Sequence, residues 1–176
     1  MNNIEPGLDV IDSRNIIKRL EELRDERENL AAILDENSTE LDRLRGLGPE
    51  DEPSEFMREY MEDNGIGLKD AEAKMLELIA MDEAVLKDWD EENAEEFALL
   101  TSINEDGEES PDWEHGETMI LDSYFEDFAR EFASDMGYKG DDTWPGNHID
   151  WSAAAEELQQ DYFSLEYGRY TYWVRS

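Results

Sequence analysis

The chain has 176 residues, with 49 acidic and 15 basic side chains, a formal net charge of −34 and no cysteine. That charge argues against nucleic acid and anionic membranes as partners, and the missing thiols exclude disulfides and thiolate metal sites. Hydrophobic residues at 39%, with five Trp, seven Tyr and six Phe, supply a core that a disordered acidic tail lacks.

Residues 1–9 show no basic, apolar leader pattern, and no stretch approaches the roughly 20 apolar residues that span a bilayer. A cytoplasmic location, in a bacterial host cell, is expected. Asp12 and Ser13 are N-cap residue types. After them Ile16, Leu20, Leu23, Arg27, Leu30, Leu34, Asn37, Leu41 and Leu44 recur at steps of four and three, the heptad spacing. Arg27 and Asn37 interrupt the stripe, and Ser38 is placed to cap a second, shorter helix. Gly46, Gly48, Pro49 and Pro53 end this region. A short amphipathic helix over 54–63 follows, with Phe56, Met57, Tyr60 and Met61. Past a break at 64–67, Leu68, Ala71, Met75, Leu78, Val85 and Trp89 keep the same spacing, with Asp82 as the polar exception.

Residues 104–118 read as a loop, rich in Gly, Pro and Asn. Met119, Ile120, Tyr124, Phe128, Phe132 and Met136 then form one apolar helical face over 118–136, stopped by Gly137. Asp150 caps a helix over 151–160. The aromatic, β-branched stretch 162–174, broken at Tyr167-Gly168-Arg169, predicts a terminal hairpin. The expected fold is mainly α. A long, coiled-coil-like helical hairpin occupies residues 1–105, and a small α+β module over 113–176 ends in a β-hairpin. Self-association of the first helix into a coiled-coil dimer is the competing arrangement.

Little in the chain points to catalysis. No thiol nucleophile exists, and His115 and His148 each sit in a glycine-containing, loop-like stretch. No phosphate-cradling glycine motif, HExxH or GxSxG occurs. Residues 104–109 fail the calcium-loop pattern, because Ser102 and Asn104 stand where its first two ligands belong. We expect no catalytic residue, no cofactor and no metal site, and hence no enzyme.

The acidic residues are unevenly spread. Residues 1–48 hold 12 acids and 7 bases (net −5), residues 49–112 hold 23 and 4 (net −19), and residues 113–176 hold 14 and 4 (net −10). Solubility needs a net charge of only about 2–8 in a small domain, although a salt-adapted source would also raise it. Asp88, Glu91, Glu92 and Glu95 share one helical face. Asp127, Glu131 and Asp135 recur every four residues, with Asp122 and Glu126 as a neighbouring pair. Like charges at that spacing repel by a few tenths of a kcal/mol each, so stability alone would interleave lysines. Duplex DNA carries one charge per about 1.7 Å of axis, and stiff helices bearing carboxylates can occupy a groove built for that lattice. These nine residues are the candidate partner-binding surface. The alternative is a non-catalytic coiled-coil scaffold.

The segment Trp144-Pro145-Gly146-Asn147-His148-Ile149-Asp150-Trp151, then Ala154, Glu157-Leu158 and the ending Tyr167-Gly168-Arg169-Tyr170-Thr171-Tyr172-Trp173-Val174, resembles the end of the antirestriction protein ArdA family. Residues 124–137 resemble that family's preceding helix. The likeness covers the last third of the chain. It departs at Ala155-Glu156, where the family carries Gly-Arg, and the first two thirds differ from the family's α/β domains. The resemblance implies a DNA-mimicking, often dimeric inhibitor of type I restriction–modification enzymes from a phage or other mobile element. A CRISPR nuclease is a second possible target. It also implies that Ile149, Trp151 and Leu158 are core and that Asp150 is a cap.

Overall fold

A computed structural model describes residues 4–48, 51–138, 143–144 and 146–176. The leader reading at residues 1–3, the helix stop at Pro49 and Pro145 of the aromatic segment lie outside these. Strand β1 (Val10–Asp12) is followed by α1 (Ser13–Gly46), α2 (Glu55–Asn64), α3 (Leu68–Gly107) and the single turn α4 (Trp113–Gly116). Then come β2 (Thr118–Leu121), α5 (Phe125–Asp135), α6 (Trp151–Leu158), β3 (Tyr162–Tyr167) and β4 (Tyr170–Arg175). The fold is the expected one: long N-terminal helices, then a small α+β module closed by a β-hairpin. Its contacts group differently from a boundary at 105–113. One compact unit holds residues 1–21 and 95–176, and the other holds residues 22–94. The reason is β1, which joins a sheet formed more than 100 residues later in the chain.

The unit of residues 1–21 and 95–176 is built on a four-stranded antiparallel sheet in the order β1-β2-β4-β3. Alternation along β4 sends Tyr172 and Val174 to one face and Trp173 to the other. On the Trp173 side, Ile120, Phe125, Ala129 and Ala155 form a core with Phe128, Leu158 and Tyr162. Phe125 meets the Tyr162 ring edge-on at 5.2 Å. Gly168, at φ +66°, makes the hairpin turn that a side chain would strain. The Tyr172 hydroxyl donates to the Leu8 carbonyl (2.9 Å) and accepts from the Gly7 N–H (2.9 Å). Buried Ser13 donates its hydroxyl to the Trp113 carbonyl (2.6 Å) and accepts from the Glu117 N–H (2.8 Å).

Residues 22–94 make the second unit. Leu41, Leu44, Met57, Ala71 and Met75 form its core, with Tyr60, Met61, Ile66, Leu78 and Ile79 packed around them. Ser54 caps α2 by accepting from the Met57 N–H (3.2 Å), and Gly65 ends it in the left-handed region. The two polar interruptions seen in sequence meet: Asn37 donates to Asp82 at 2.7 Å. Arg27 forms an ion pair with Asp90 at 2.7 Å, and the Trp89 indole donates to Glu26 at 3.3 Å. These contacts set the antiparallel register of α1 against α3, a role polar residues in apolar seams commonly serve.

Several expectations are corrected. Ser38 caps nothing; α1 continues, and the Ser38 hydroxyl donates back to the Leu34 carbonyl at 2.7 Å. Residues 104–107 belong to α3 and not to a loop. The Trp113 indole donates to Asn104 (3.0 Å), and its ring lies where a Cβ on Gly107 would stand, 2.4 Å away. Met119 and Ile120 lie in β2 and not on a helix, so α5 starts only at Phe125. Its buried residues are Phe125 and Ala129, while Phe132 and Met136 are exposed. The helix α6 is shorter than 151–160, because residues 159–161 tighten into a 3₁₀ turn. Asp150 does cap it, accepting from the Ala153 N–H at 3.1 Å. Ile149 is exposed, and Trp151 and Leu158 are half-buried.

Candidate functional site

The run 88–96 on α3 carries six carboxylates, and the fold sorts them into two sets. Asp90 faces α1 and holds Arg27. Glu96, in the sheet-containing unit, accepts two bonds from Arg19 at 2.9 and 3.0 Å. Those bonds lower the Glu96 pKa against an opposing rise from partial burial. Asp88, Glu91 and Glu92 remain exposed on the helical unit, and Glu95 is exposed in the other. Glu91 has a loose neighbour in Lys87 at 3.5 Å, an exposed i,i+4 pair worth at most about 1 kcal/mol. Asp88, Glu92 and Glu95 make no ion pair among the described residues.

The acids around α5 are less uniform than their spacing implied. Arg130 bonds to both Glu126 and Asp127, the latter at 2.8 Å, and its guanidinium lies 5.8 Å from the centre of the Trp151 ring. Asp122 accepts from the Trp173 indole at 2.8 Å and sits on the 3₁₀ turn that precedes α5. Glu131 accepts from the Tyr124 hydroxyl, which raises the pKa of that phenol. Asp135 is exposed at the end of α5 and makes no ion pair among the described residues. The nine candidates therefore do not form one surface of equivalent charges. Asp88, Glu91, Glu92, Glu95 and Asp135 present the most open carboxylates, whereas Glu126 and Asp127 are partly neutralised from within. The i,i+3 and i,i+4 spacing to Arg130 was the sequence signal for that.

Sequence reasoning also left unread how the basic side chains are used. Arg14, Arg19, Arg27, Arg58, Lys74, Lys87 and Arg130 all lie in intramolecular ion pairs. Hydrogen bonding to Asp12 and to Asp90 raises the pKa values of Arg14 and Arg27, and the bond to Glu77 raises that of Lys74. By unit, residues 22–94 contain 24 acids and 8 bases, net −16, and the remainder contain 25 and 7, net −18. The excess is thus nearly equal in the two folded bodies, although it is uneven along the chain.

Among the described residues, no group of three or more His, Asp or Glu side chains is placed to share a metal ion. No helix is long and apolar enough to cross a membrane. A surface concavity of about 580 Å³ is lined by Glu36, Asn37, Thr39, Glu40, Ser54 and Phe56. Comparison with protein-family models, with curated proteins and with solved structures finds no match for this chain.

Proposed function

We propose that this chain is a non-catalytic, acidic decoy of DNA that occupies the DNA-binding groove of a host defence nuclease. The first target class is a type I restriction–modification enzyme and the second is a CRISPR nuclease. One observation carries the reading: seven basic side chains are engaged in ion pairs within the chain, while carboxylates such as Asp88, Glu92 and Glu95 are exposed and make no ion pair among the described residues. The helical unit alone, at −16, matches the charge on roughly 27 Å of duplex at about 1.7 Å per charge. Such a field steers encounter with a basic groove and rewards release of its counterions. The ArdA-like ending supports the same class of target, and the phage or mobile-element origin belongs to this proposal.

The rival scaffold reading has less support, because Ile16, Leu20, Leu23, Leu41 and Leu44 of the first stripe are all buried within the chain. The test is competition. The protein is titrated against a restriction or CRISPR complex bound to labelled DNA, over a series of salt concentrations. Displacement that is strong at low salt and falls steeply with added salt is expected. Absence of displacement at low salt from both enzyme classes refutes the proposal.

A further inference from the structure

The sheet ends on one side at β3, which pairs with β4 alone. The hairpin turn fixes which of its backbone groups are free. A two-residue connection at 168–169 makes Tyr167 and Tyr170 a hydrogen-bonded pair, and bonded and non-bonded pairs alternate from there. Phe163, Leu165 and Tyr167 therefore turn their N–H and C=O groups to β4. The Ser176 N–H, donating to the Asp161 carbonyl at 3.0 Å, continues the same phase. Ser164 and Glu166 point theirs outward. Both residues are exposed, and their backbone groups bond to no other backbone among the described residues. Strand edges are ordinarily guarded by lysine, proline or a bulge, and β3 has none of these.

The charges beside this edge indicate what fits there. A concavity of about 250 Å³ is lined by Asp106 and Glu109 from the end of α3 and its following turn, and by Phe163, Ser164, Leu165 and Glu166 of β3. Three of these six residues are acids and none is a base. Asp106, Glu109 and Glu166 make no ion pair among the described residues. Copies of this chain, at −34 each, repel one another, so the acids guard the edge against self-pairing. Against a cationic strand they offer no defence. An extended segment carrying Lys or Arg gains main-chain hydrogen bonds from Ser164 and Glu166 and meets carboxylates on the α3 side. The half-buried Phe163 adds an apolar contact.

We propose that the outer edge of β3 is a docking site for an extended basic segment of a partner protein, which adds a fifth strand to the sheet. The inference goes beyond the decoy reading and does not rest on it, since failure to displace DNA leaves it standing. Its probe is a hexapeptide of alternating lysine and valine, added to the full-length protein while backbone amide exchange is followed by nuclear magnetic resonance. In the protein alone the Ser164 and Glu166 amides should exchange fast and those of Leu165 and Tyr167 slowly. Saturating peptide should slow Ser164 and Glu166. The same peptide methylated at every backbone nitrogen keeps its charge but loses its donors, and should bind at least about tenfold more weakly. Asp106→Asn with Glu109→Gln should weaken the unmethylated peptide about fivefold. Ser164→Pro removes an N–H that β4 does not use, so the fold should be retained and peptide binding weakened at least about tenfold. Equal binding of the methylated peptide reduces the effect to charge and overturns the proposal, whether or not Ser164→Pro folds. Equal binding of an alternating glutamate–valine peptide, or unchanged exchange at Ser164 and Glu166 under saturating peptide, also overturns it. Slow exchange of those two amides in the protein alone, growing with concentration, assigns the edge to a second copy and overturns it too.

Discussion

Replacing Ser13 with alanine removes one oxygen atom from the point where β1, α1, α4 and β2 meet. The Ser13 hydroxyl is fully buried, donates to the Trp113 carbonyl at 2.6 Å and accepts from the Glu117 N–H at 2.8 Å. Its own N–H donates to the Glu117 carbonyl at 2.9 Å, a bond that alanine keeps. Each lost hydrogen bond is worth about 1 kcal/mol net, and stranding a buried backbone partner adds to that. Alanine returns a few tenths of a kcal/mol through its helix propensity. The sum is a destabilisation of about 2–3 kcal/mol, or a fall in Tm of roughly 4–12 °C for a chain of this size. Urea unfolding followed by circular dichroism reads it directly, with the slope unchanged and the midpoint lowered. Ser134→Ala, at an exposed position of α5, is the control and should stay within about 0.5 kcal/mol of the parent. If Ser13→Ala also stays within that range, the hydroxyl is not a structural tie and the account of this junction is wrong.

Three further outcomes are expected. Asn37→Leu leaves Asp82 half-buried without its donor and should cost about 1 kcal/mol, whereas Asn37→Leu with Asp82→Leu should recover that loss in the same urea assay. Burial pushes the Tyr167 phenol up to about 12. Its contribution, up to roughly 2–3 kcal/mol, is present below the ordinary phenol value of about 10 and is lost as pH rises through the folded value. Tyr124, Tyr162 and Tyr172 are raised as well, so ultraviolet titration should show several tyrosines ionising late, and Tyr167→Phe should remove the latest of them. Asp88→Asn, Glu91→Gln and Glu92→Gln together should flatten the salt dependence of target binding by up to about 2.7 in the log–log slope, at roughly 0.9 per charge contact. An unchanged slope would remove these residues from the contact surface.

The sequence disclosed those parts of the fold whose signals are local. The four-and-three steps from Ile16 to Leu44, the Ser54 and Asp150 caps and the Gly168 turn act over a few residues and sit where they were expected. The short strands were hidden for the opposite reason. Val10-Ile11 is too brief to show alternation, and Met119-Ile120 fits a helical stripe equally well. Only pairing across more than 100 residues distinguishes the two readings. The exposure of Asp88, Glu91, Glu92 and Glu95 could be read from the helical wheel. The capture of Asp90 by Arg27 and of Glu96 by Arg19 could not, because both depend on the register of one helix against another.

The sheet order also has a consequence for how the chain matures. Strand β4 follows β3 in the chain yet lies between β2 and β3, while β1 hydrogen-bonds to β2 across more than 100 residues. During synthesis the helical unit of residues 22–94 has all its parts well before the sheet has any chance to close. Strand β1 must therefore wait, unpaired, until β2 has been made more than 100 residues later. Closure across so long a separation is slow, so Val10 and Ile11 form a transient sticky end. The acidic residues around them, Glu5, Asp9 and Asp12, act as gatekeepers against aggregation during that interval.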